Sequence, residues 1–375
     1  MADNMLSIIT VCLNSAKTIE QTIKSVLNQS NKNYEHIIID GGSLDGTIDI
    51  IKKYESDLSY WCSEPDNGIY DAMNKGIAEA TGTIVSFLNS DDWYRKNTVE
   101  LVLRSFEKLN NEIIYGDIFN VEEDNSIISY EKAGDIKDIY HGMVICHQAI
   151  FAKTNIFKKI AEFDISYRIA ADYDWLLRAY NKGISIGYIN EAMAYYRKGG
   201  FSRRQIILTF EEWKRASITN LPESQKVTMI PIIEAECYER TKNIVLAELR
   251  KLPNNDNKHL RKLFYDYVQP DDIVYIWGSG ALGKICLTYF QVIGVLVKAV
   301  IDSDVKTHNQ RLNHVEIVGP DVLKEFKHKV IVTPEKYEIE ISNMLKKWDY
   351  EDGDYILFSV MIKGMAKLYL ENGLI

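Results

Sequence analysis

Short apolar runs alternate with amphipathic helical patterns over the first 120 residues, and this alternation constrains the fold more than any other feature. LSIITVCL, YEHIIID and TIVSFLNS have the length and the branched residues of buried strands. GIYDAMNKGIAEA has its apolar residues at helical spacing. Such alternation predicts a mostly parallel sheet with helices on both faces, which binds ligands at the carboxyl ends of its strands. Since the Gly- and Asp-rich turns here follow strands, we expect them to share that edge.

A second α/β pattern begins after residue 270, with the strand DIVYIWG, the loop SGALG and the helix KICLTYFQVIG. Before it, residues 206–250 have a helical pattern in which no catalytic motif is recognisable, and LPNNDNK at 252–258 has the composition of a polar linker. A chain of 375 residues has room for two domains. We therefore predict an α/β domain over 1–205, a helical extension and linker over 206–258, and a small Rossmann-like α/β domain over 259–375.

Composition and charge argue against several classes of protein. The formal net charge of −9 is unlike that of a general nucleic-acid binder. The five cysteines include no C-x-x-C pair, which argues against a disulfide framework or a zinc knuckle and favours reduced thiols. No apolar run is long enough to span a membrane, and the N-terminus lacks the basic segment of a signal peptide. We expect a cytoplasmic protein, and peripheral contact with the inner face of the membrane stays open.

Two adjacent carboxylates, Asp91 and Asp92, follow a buried strand at the expected ligand-binding edge. They repel each other, and removing them from water is unfavourable. A divalent cation would offset this repulsion, and carboxylate oxygens suit Mg²⁺ or Mn²⁺. Such a cation also binds diphosphates and stabilises a nucleoside diphosphate as it departs. The alternative interpretation is that one carboxylate caps the helix near Asn97 or makes an Asx turn.

Five ordered motifs resemble those of family 2 inverting glycosyltransferases of the GT-A fold. They are SIITVCLN, IIIDGGSLDGT, EPDNGIYDAMNKGIAEATG, FLNSDDW and ADYDWLLR, and the resemblance covers about residues 5–205. NGIYDAMNKGI followed by FLNSDD resembles most the bacterial enzymes that build surface polysaccharides. The resemblance implies transfer of a sugar from a nucleotide-diphospho sugar, a UDP-sugar by preference, to a hydroxyl group. The acceptor would be a glycan or a lipid-linked oligosaccharide in O-antigen or capsule synthesis.

The resemblance also implies roles for the acidic residues. Asp91 matches the metal-ligand position, and Asp92 would bind the metal through water or hold the loop. Asp172 matches the catalytic base, although the Glu that usually precedes it is Ala171 here. The alternative interpretation is that Asp172 caps the following helix, which is compatible with a catalytic role because a carboxylate at a helix N-terminus is held in place.

Donor contacts are implied mainly in the loops that follow the strands. They are Thr10, Cys12, Asn14, Asp40, Ser43, Asp66, Asn74, Lys75, Asn89 and Ser90. Asp40 matches the carboxylate that pairs with the uracil edge in many members, and Asn89 replaces an Asp that faces the ribose or the sugar. The first loop lacks the family's usual aromatic residue, so the nucleobase of the donor would lack its usual stacking partner. Cys12 can equally be a small packing residue, and Lys75 a solvated helix residue.

Acceptor or loop contacts are implied at His147, Gln148, Arg197 and Ser202. His147 would lie near the donor sugar, and the alternative is a histidine of the core. RKGGFSRR would close over phosphates as a mobile loop, with Arg197 among its cations. A solvated basic turn, or contact with a lipid diphosphate at a membrane surface, is the alternative.

The C-terminal pattern places Gly278, Gly280 and Gly283 between a strand and a helix, with Asp302 after the next strand. This is the context that a dinucleotide-binding motif requires. No Tyr-x-x-x-Lys pattern of dehydrogenases accompanies it, so we favour a structural or acceptor-positioning role over cofactor binding. Apolar segments near the C-terminus leave a homodimer open.

Two other functions remain as alternatives. A nucleotidyltransferase acting on a sugar phosphate also uses an α/β nucleotide fold with acidic metal ligands, but its Gly-rich basic first loop is absent from TVCLNSAKT. A non-catalytic sugar-nucleotide-binding module would use both α/β units. Donor binding without turnover would favour the binding module.

Overall fold

The computed structural model describes residues 4–251, 267–269 and 271–372. The chain divides into two compact units, Met1–Cys237 and Tyr238–Ile375. The polar segment 252–258, which the sequence predicts as a linker, lies outside the described residues.

The first unit is built on a sheet of nine strands. They are β1 Leu6–Cys12, β2 Tyr34–Asp40, β3 Tyr60–Ser63, β4 Ile84–Phe87, β5 Trp93–Tyr94, β6 Ile113–Val121, β7 Ile127–Glu131, β8 Ile150–Lys153 and β9 Ile186–Arg197. Their order across the sheet is β3-β2-β1-β4-β8-β6-β9-β5, with β7 beside β6.

The strand directions match the expectation of a mostly parallel sheet. β2 is parallel to β1 and β3, β4 is parallel to β1, and β6 is parallel to β9. β8 runs antiparallel to β4 and β6, and the short strands β5 and β7 are also antiparallel to their neighbours. The mixed α/β fold is confirmed, whereas the antiparallel strands lie in a region whose sequence has little regular pattern.

Helices cover both faces of this sheet. The helices of the first unit are α1 Ile19–Leu27, α2 Thr47–Lys53, α3 Ile69–Glu79, α4 Thr98–Lys108, α5 Asn155–Ile160, α6 Ala171–Asn181, α7 Phe201–Arg204 and α8 Ile206–Asn220. The helix α9 Glu223–Lys251 begins in this unit and continues past its last residue, Cys237. Because side chains alternate along a strand, Ile9 of β1 packs in one core with Met73 of α3, and Ile8 packs in another with Val102 of α4.

The carboxyl ends of the parallel strands meet at one edge of the sheet. Cys12, Asp40 and Ser63 are in register across β1, β2 and β3. Phe87 of β4 pairs with Ile9 of β1, so the loop after β4 leaves the sheet beside the other three. The antiparallel strand β8 begins at this same edge, and the residues that precede it therefore lie beside the end of β4.

The second unit contains a smaller sheet of six strands. They are β10 Ile273–Trp277, β11 Leu296–Ile301, β12 Arg311–Leu312, β13 Val315–Val318, β14 Lys329–Val332 and β15 Tyr355–Leu357. The helices are α10 Ala281–Ile293, α11 Val322–Glu325, α12 Glu338–Lys347 and α13 Phe358–Asn372. The strand order is β12-β13-β11-β10-β14-β15, and only β12 is antiparallel to its neighbour. Across both units, no helix among the described residues is long and apolar enough to cross a membrane.

The glycine-rich turn between β10 and α10 is tight for a packing reason. A Cβ atom at Gly283 would lie 1.8 Å from the carbonyl oxygen of Gly278, whereas a Cβ at Gly280 would meet nothing within 4 Å. Asp302 accepts hydrogen bonds from the backbone N–H (3.2 Å) and the hydroxyl of Ser279, and so closes the turn from the next strand. Gly283 is thus needed by the fold itself, but Gly280 is not.

We expect Gly283→Ala to destabilise the second unit by about 2–4 kcal/mol, because the added methyl group collides with rigid backbone. Gly280→Ala is the matched control in the same turn and should change stability by less than about 0.5 kcal/mol. Urea titration monitored by hydrogen exchange of β10 peptides measures both. Equal stability of the two variants would contradict this account of the turn.

Candidate active site

Asp40 joins the loops that follow β1, β2 and β3. Its buried carboxylate accepts hydrogen bonds from the backbone N–H groups of Gly42 (3.1 Å) and Ser43 (2.8 Å), and from the hydroxyls of Ser43 and Ser63 (2.7 Å). The Cys12 thiol lies 3.4 Å away and donates as well. Burial alone would raise the pKa of Asp40, but these hydrogen bonds outweigh it and hold the pKa below its ordinary value. Asp40 is therefore an ionised anchor whose oxygens are occupied, and its contact with a nucleobase stays a prediction.

Asn14 extends this anchor to the first loop. Its backbone N–H donates to the Ser43 hydroxyl at 2.7 Å, and its side-chain oxygen accepts from the backbone N–H of Leu44 at 2.9 Å. Asn14 itself has a left-handed backbone with φ of 51°, which asparagine tolerates better than most residues. The loops after β1 and β2 are thus fixed against each other.

Asp66 brings a further carboxylate to the same place. A Cβ atom at Gly41 would lie 2.6 Å from Asp66 Oδ2, so glycine allows the close approach. Asp66 Oδ1 accepts from the backbone N–H of Gly68 at 2.9 Å, which orients the side chain. The predicted donor contacts Cys12, Asn14, Asp40, Ser43 and Asp66 therefore do lie together.

The loop after β4 is tied to the start of the chain. The hydroxyls of Ser15 and Ser90 are 2.8 Å apart, and the Thr22 hydroxyl lies 3.0 and 2.7 Å from the carbonyl oxygens of Ser90 and Asp92. Asn89, by contrast, has a buried side-chain oxygen with no hydrogen-bond partner among the described residues. This loop is held by its backbone, which leaves the side chain of Asn89 available.

Asp92 is buried and Asp91 is partly buried, and too little positive charge surrounds the two carboxylates. Burial, and then the charge of Asp91, raise the pKa of Asp92 well above its ordinary value. Burial also raises the pKa of Asp91, against the opposing charges of Arg197 and Arg204. Asp92 Oδ1 accepts from the backbone N–H of Arg197 at 2.8 Å, but Oδ2 is buried with no partner in the described part of the chain.

This arrangement fits a divalent cation. An unpartnered carboxylate oxygen beside a second desolvated carboxylate is the donor set that a hard cation would satisfy. A Cβ atom at Gly200 would lie 3.5 Å from Asp91 Oδ2, so the turn that begins α7 lies against this carboxylate. Residues 4–251, 267–269 and 271–372 contain no group of three His, Cys, Asp or Glu side chains that could hold a metal. A cation at Asp91 and Asp92 would therefore take further oxygen ligands from a bound molecule.

The Arg197 guanidinium holds the loop of Asp91 and Asp92 in place through hydrogen bonds. All five of its guanidinium N–H groups donate within the protein, and the guanidinium lies 5.1 Å from the centre of the Trp93 ring. The acceptors are the carbonyls of Asp91, Glu122 and Glu123 and the side chains of Gln21 and Asn125. The sequence interpretations of Arg197 as an anion contact or a solvated residue are therefore wrong, because its donors are committed and only 9% of it is exposed.

The rest of the basic segment differs from Arg197. Arg203 and Arg204 are exposed, and Ser202 is partly buried with its carbonyl accepting from the Thr209 hydroxyl at 2.9 Å. An anion contact in this segment would fall to the two exposed arginines, of which Arg204 is close enough to act on the pKa of Asp91.

Asp172 lies in the first turn of α6 and is held from two sides. Oδ1 accepts from the Tyr70 hydroxyl and from the backbone N–H of Tyr173, both at 2.9 Å. Oδ2 is 3.3 Å from His147 Nδ1. Burial and the charge of Asp172 raise the pKa of Tyr70, so its hydroxyl stays protonated and donates. The carboxylate is thus fixed in direction while 17% of its side chain remains exposed.

His147 and Gln148 connect Asp172 to the loop after β4. They lie in a short turn directly before β8, and the ring of His147 stacks on Phe87 with centroids 5.4 Å apart. Burial lowers the pKa of His147 although Asp172 opposes this, so the ring is neutral with Nδ1–H facing Asp172. Its Nε2 is buried and has no partner among the described residues. Gln148 is close enough to Asp92 to act on its pKa, but burial and the charge of Asp91 outweigh this effect. His147 therefore contacts Asp172, and the next residue along the chain lies near Asp92.

Three of the residues predicted to contact the donor have hydrogen-bond or ion-pair partners within the protein. The Thr10 hydroxyl is fully buried in the sheet, 3.1 Å from His36 Nε2. The Asn74 amide bonds both backbone groups of Phe163, at 2.9 and 3.1 Å. Lys75 pairs with the exposed Glu64 at 2.7 Å. Their contact with a donor stays a prediction, and the structure offers each a different partner.

Tyr70 shows what sequence reasoning missed. Its helical spacing indicates core packing, and most of the ring is indeed buried. Its hydroxyl nevertheless reaches Asp172, which is 102 residues away in the chain. No local pattern signals such a contact, because it depends on how α3 and α6 meet.

Comparison with known proteins relates this chain to glycosyltransferases. The model of the family "Glycosyl transferase family 2" matches residues 7–184. A PGL/p-HBAD biosynthesis glycosyltransferase of Mycobacterium tuberculosis is 33% identical over 209 residues, which are 54% of this chain and 80% of that protein. An uncharacterized glycosyltransferase of M. tuberculosis is 35% identical over 180 residues, 46% of this chain and 68% of that one. The crystal structure of S. aureus TarS 1-349 in complex with UDP-GlcNAc has a TM-score of 0.50 and 16% identity, and the match covers 78% of this chain and 84% of that one. This last likeness shows the GT-A type of fold.

We expect Arg197→Lys to lower the free energy of unfolding by about 2–3 kcal/mol, because an ammonium group cannot replace the planar fork and leaves buried carbonyls unpaired. Arg203→Lys in the exposed part of the same segment is the control and should be neutral within about 0.5 kcal/mol. Urea denaturation followed by circular dichroism gives both values. A neutral Arg197→Lys variant would show that the guanidinium does not hold the loop.

Proposed function

The chain belongs to glycosyltransferase family 2, and we propose that it is a metal-dependent inverting enzyme with Asp172 as its general base. One observation carries this proposal: His147 lies 3.3 Å from Asp172 and stacks on Phe87, the last residue of β4, and the loop that follows β4 carries Asp91 and Asp92. The proposed proton acceptor and the proposed cation-binding carboxylates would thus lie at the same edge of the sheet. An inverting transfer needs these two groups on either side of the sugar.

The reaction needs a base because a sugar hydroxyl is a poor nucleophile at neutral pH. The acceptor oxygen forms a bond to the anomeric carbon while the bond from that carbon to the diphosphate oxygen breaks. The proton of the acceptor hydroxyl passes to the Asp172 carboxylate, and the electron pair of the broken bond leaves with the nucleoside diphosphate. The hydrogen bond from Tyr70 and the contact with His147 Nδ1 at 3.3 Å keep Asp172 aligned for this transfer. Direct displacement inverts the configuration at the anomeric carbon.

Asp91, with the unpartnered Oδ2 of Asp92, would hold the cation, which we propose to be Mn²⁺ or Mg²⁺. When bound, the cation neutralises the negative charge that develops on the departing diphosphate. Asn89 presents an unpartnered oxygen in the same loop and is proposed to contact the ribose or the sugar of the donor.

The donor is proposed to be a UDP-sugar. Its nucleotide would lie along the loops joined by Asp40, where Asp66 and Asn14 border the same edge of the sheet. The acceptor is proposed to be a glycan or a lipid-linked oligosaccharide of a surface polysaccharide, such as O-antigen or capsule. This part of the proposal rests on the resemblance of NGIYDAMNKGI and FLNSDD to enzymes of that group.

We also propose a separate role for each of the three segments of the chain. Residues 1–205 would carry donor binding and catalysis, 206–258 would extend and link this domain, and 259–375 would form a Rossmann-like unit. We assign the last unit a structural or acceptor-positioning role, since Asp302 is engaged with Ser279 in its own turn.

We expect Asp172→Asn to reduce turnover by about 1,000-fold, because an amide cannot take the proton of the acceptor. Donor affinity should stay within about twofold, because the amide keeps the shape of the carboxylate and the cation-binding loop is untouched. Release of UDP from a panel of UDP-sugars with Mn²⁺ measures turnover, and calorimetry measures binding.

Asp174→Asn in the same helix is the matched control. Asp174 pairs with Arg178 at 2.8 Å and accepts from Asn220, so its loss affects packing but not the proton acceptor. Its activity per folded molecule should equal that of the wild type. Full activity of Asp172→Asn would remove Asp172 as the base, and donor binding without turnover in the wild type would favour a binding module.

We expect Asp91→Ala to weaken cation-dependent donor binding by about tenfold or more, because one of two acidic ligands is lost. Addition of EDTA to the wild type should have the same effect. Titration of a UDP-sugar with and without Mn²⁺ measures it, with exposed Asp124→Ala as the control. If Asp91→Ala kept the cation dependence of the wild type, its assigned role would be refuted.

A further inference from the structure

A buried carboxylate on α8, Glu212, lies close to Asp172 in the fold although the sequence gives α8 no recognisable role. Only 7% of Glu212 is exposed, and no ion pair joins it to a cation in the described residues. A buried carboxylate without a cation is strongly unfavourable unless hydrogen-bond donors surround it. The partners of Glu212 therefore indicate why it is there.

Those partners are three consecutive backbone N–H groups. Glu212 Oε1 accepts from Arg168 at 2.9 Å, and Oε2 accepts from Ile169 at 2.8 Å and from Ala170 at 3.0 Å. These N–H groups directly precede α6, which begins at Ala171, so they have no partner within that helix. A negative charge at this end is also favourable for the dipole of α6.

A second residue of α8 holds the same segment one turn further along. The Arg215 guanidinium donates to the Ser166 hydroxyl at 2.6 Å and lies 4.1 Å from the centre of the Tyr167 ring. Together with Glu212, it fixes every residue from Ser166 to Ala170. The segment that leads into Asp172 is therefore shaped by α8, and not only by its own helix.

The opposite side of this segment contacts the base directly. The Tyr70 hydroxyl lies within hydrogen-bond distance of both Asp172 Oδ1 and the carbonyl oxygen of Ile169, and these two acceptors share its single proton. The backbone of Ile169 thus lies between Glu212, through its N–H, and Tyr70, through its carbonyl. A shift of this backbone would move both Tyr70 and the start of α6, and hence the direction of the Asp172 carboxylate.

We infer that Glu212 is a positioning residue for the base, and that α8 is a working part of the catalytic domain although it lies beyond the residues 7–184 that match the family. This inference rests on the proposed function of Asp172. Glu212 touches neither substrate nor reacting atoms. It acts by holding three N–H groups so that Asp172 meets the acceptor hydroxyl in one orientation.

The test compares Glu212→Ala and Glu212→Gln with Glu211→Gln, a matched control one residue away. Glu211 pairs with Lys214 on the partly exposed side of α8. Glu212→Ala should lower kcat by about 30-fold or more while the Kd for the UDP-sugar stays within about twofold, since the donor loops are unaffected. Glu212→Gln keeps the shape and one acceptor oxygen and should recover a large part of kcat. Glu211→Gln should equal the wild type.

Hydrogen exchange supplies a readout that does not depend on activity. Amides of the 166–172 segment should exchange faster in Glu212→Ala, with other peptides of the first unit unchanged. Parallel losses of donor affinity and thermal stability, with kcat per folded molecule intact, would show a merely structural role and overturn the inference. If Glu212→Ala does not fold, Glu212→Asp, whose shorter side chain withdraws the carboxylate from the three N–H groups, replaces it in the same kcat-against-Kd comparison.

The two proposals fail in different ways. A wild-type chain that releases no UDP with any donor refutes the proposed function before a variant is made, and the positioning role falls with it. An active wild type whose Glu212 variants retain its kcat and its exchange pattern leaves the proposed function standing and overturns only the role of Glu212.

Discussion

Buried carboxylates without cations determine how this edge of the sheet is built. Asp40 and Glu212 are each surrounded by N–H or O–H donors, so each can be buried and can hold several loops or backbone segments together. Asp92 is just as buried, yet one of its oxygens has no donor among the described residues, and the charge of Asp91 lies beside it. Donors of the protein itself therefore compensate for the burial of Asp40 and Glu212, but they compensate only in part for the burial of Asp92. Asp92 is where an external cation and a diphosphate would complete the structure.

The antiparallel strand β8 brings the proposed base, Asp172, close to the proposed cation site. Because it runs opposite to β4, the turn before it returns to the carboxyl edge and places His147 on Phe87. A wholly parallel continuation would have put that turn at the other edge of the sheet, away from Asp172. The chemistry thus depends on a strand direction that the alternating pattern does not predict.

Local patterns predicted the strands β1, β2 and β4 and the helix α3, and predicted that the loops after these strands share one edge of the sheet. They failed where a contact depends on topology. Thr10 and Cys12 both lie in β1, on the same face of the sheet. Cys12 is at the end of the strand and contacts Asp40, whereas Thr10 contacts His36 inside the sheet. Arg197 lies in a basic segment typical of a solvated turn, but the pairing of β5 with β9 buries its guanidinium against Trp93. Pairing between strands that are distant in sequence decides whether such a charged side chain is buried. The spacing of residues along the chain does not predict that pairing.

The departure at Ala171 gains a physical meaning from α8. The resemblance expects a Glu before the base, and a long acidic side chain would not fit at Ala171 because this residue is completely buried in the core of the first unit. A carboxylate is nevertheless present at the same turn, supplied by Glu212 and directed at the N–H groups of Arg168, Ile169 and Ala170. Its negative charge also contributes to the raised pKa of Tyr70, although less than burial and Asp172 do. The proposed base, Asp172, thus has an acidic group nearby, but Glu212 contacts the backbone that precedes Asp172 and not Asp172 itself. The proposed positioning role therefore links the orientation of Asp172 to the packing of α8 against α6.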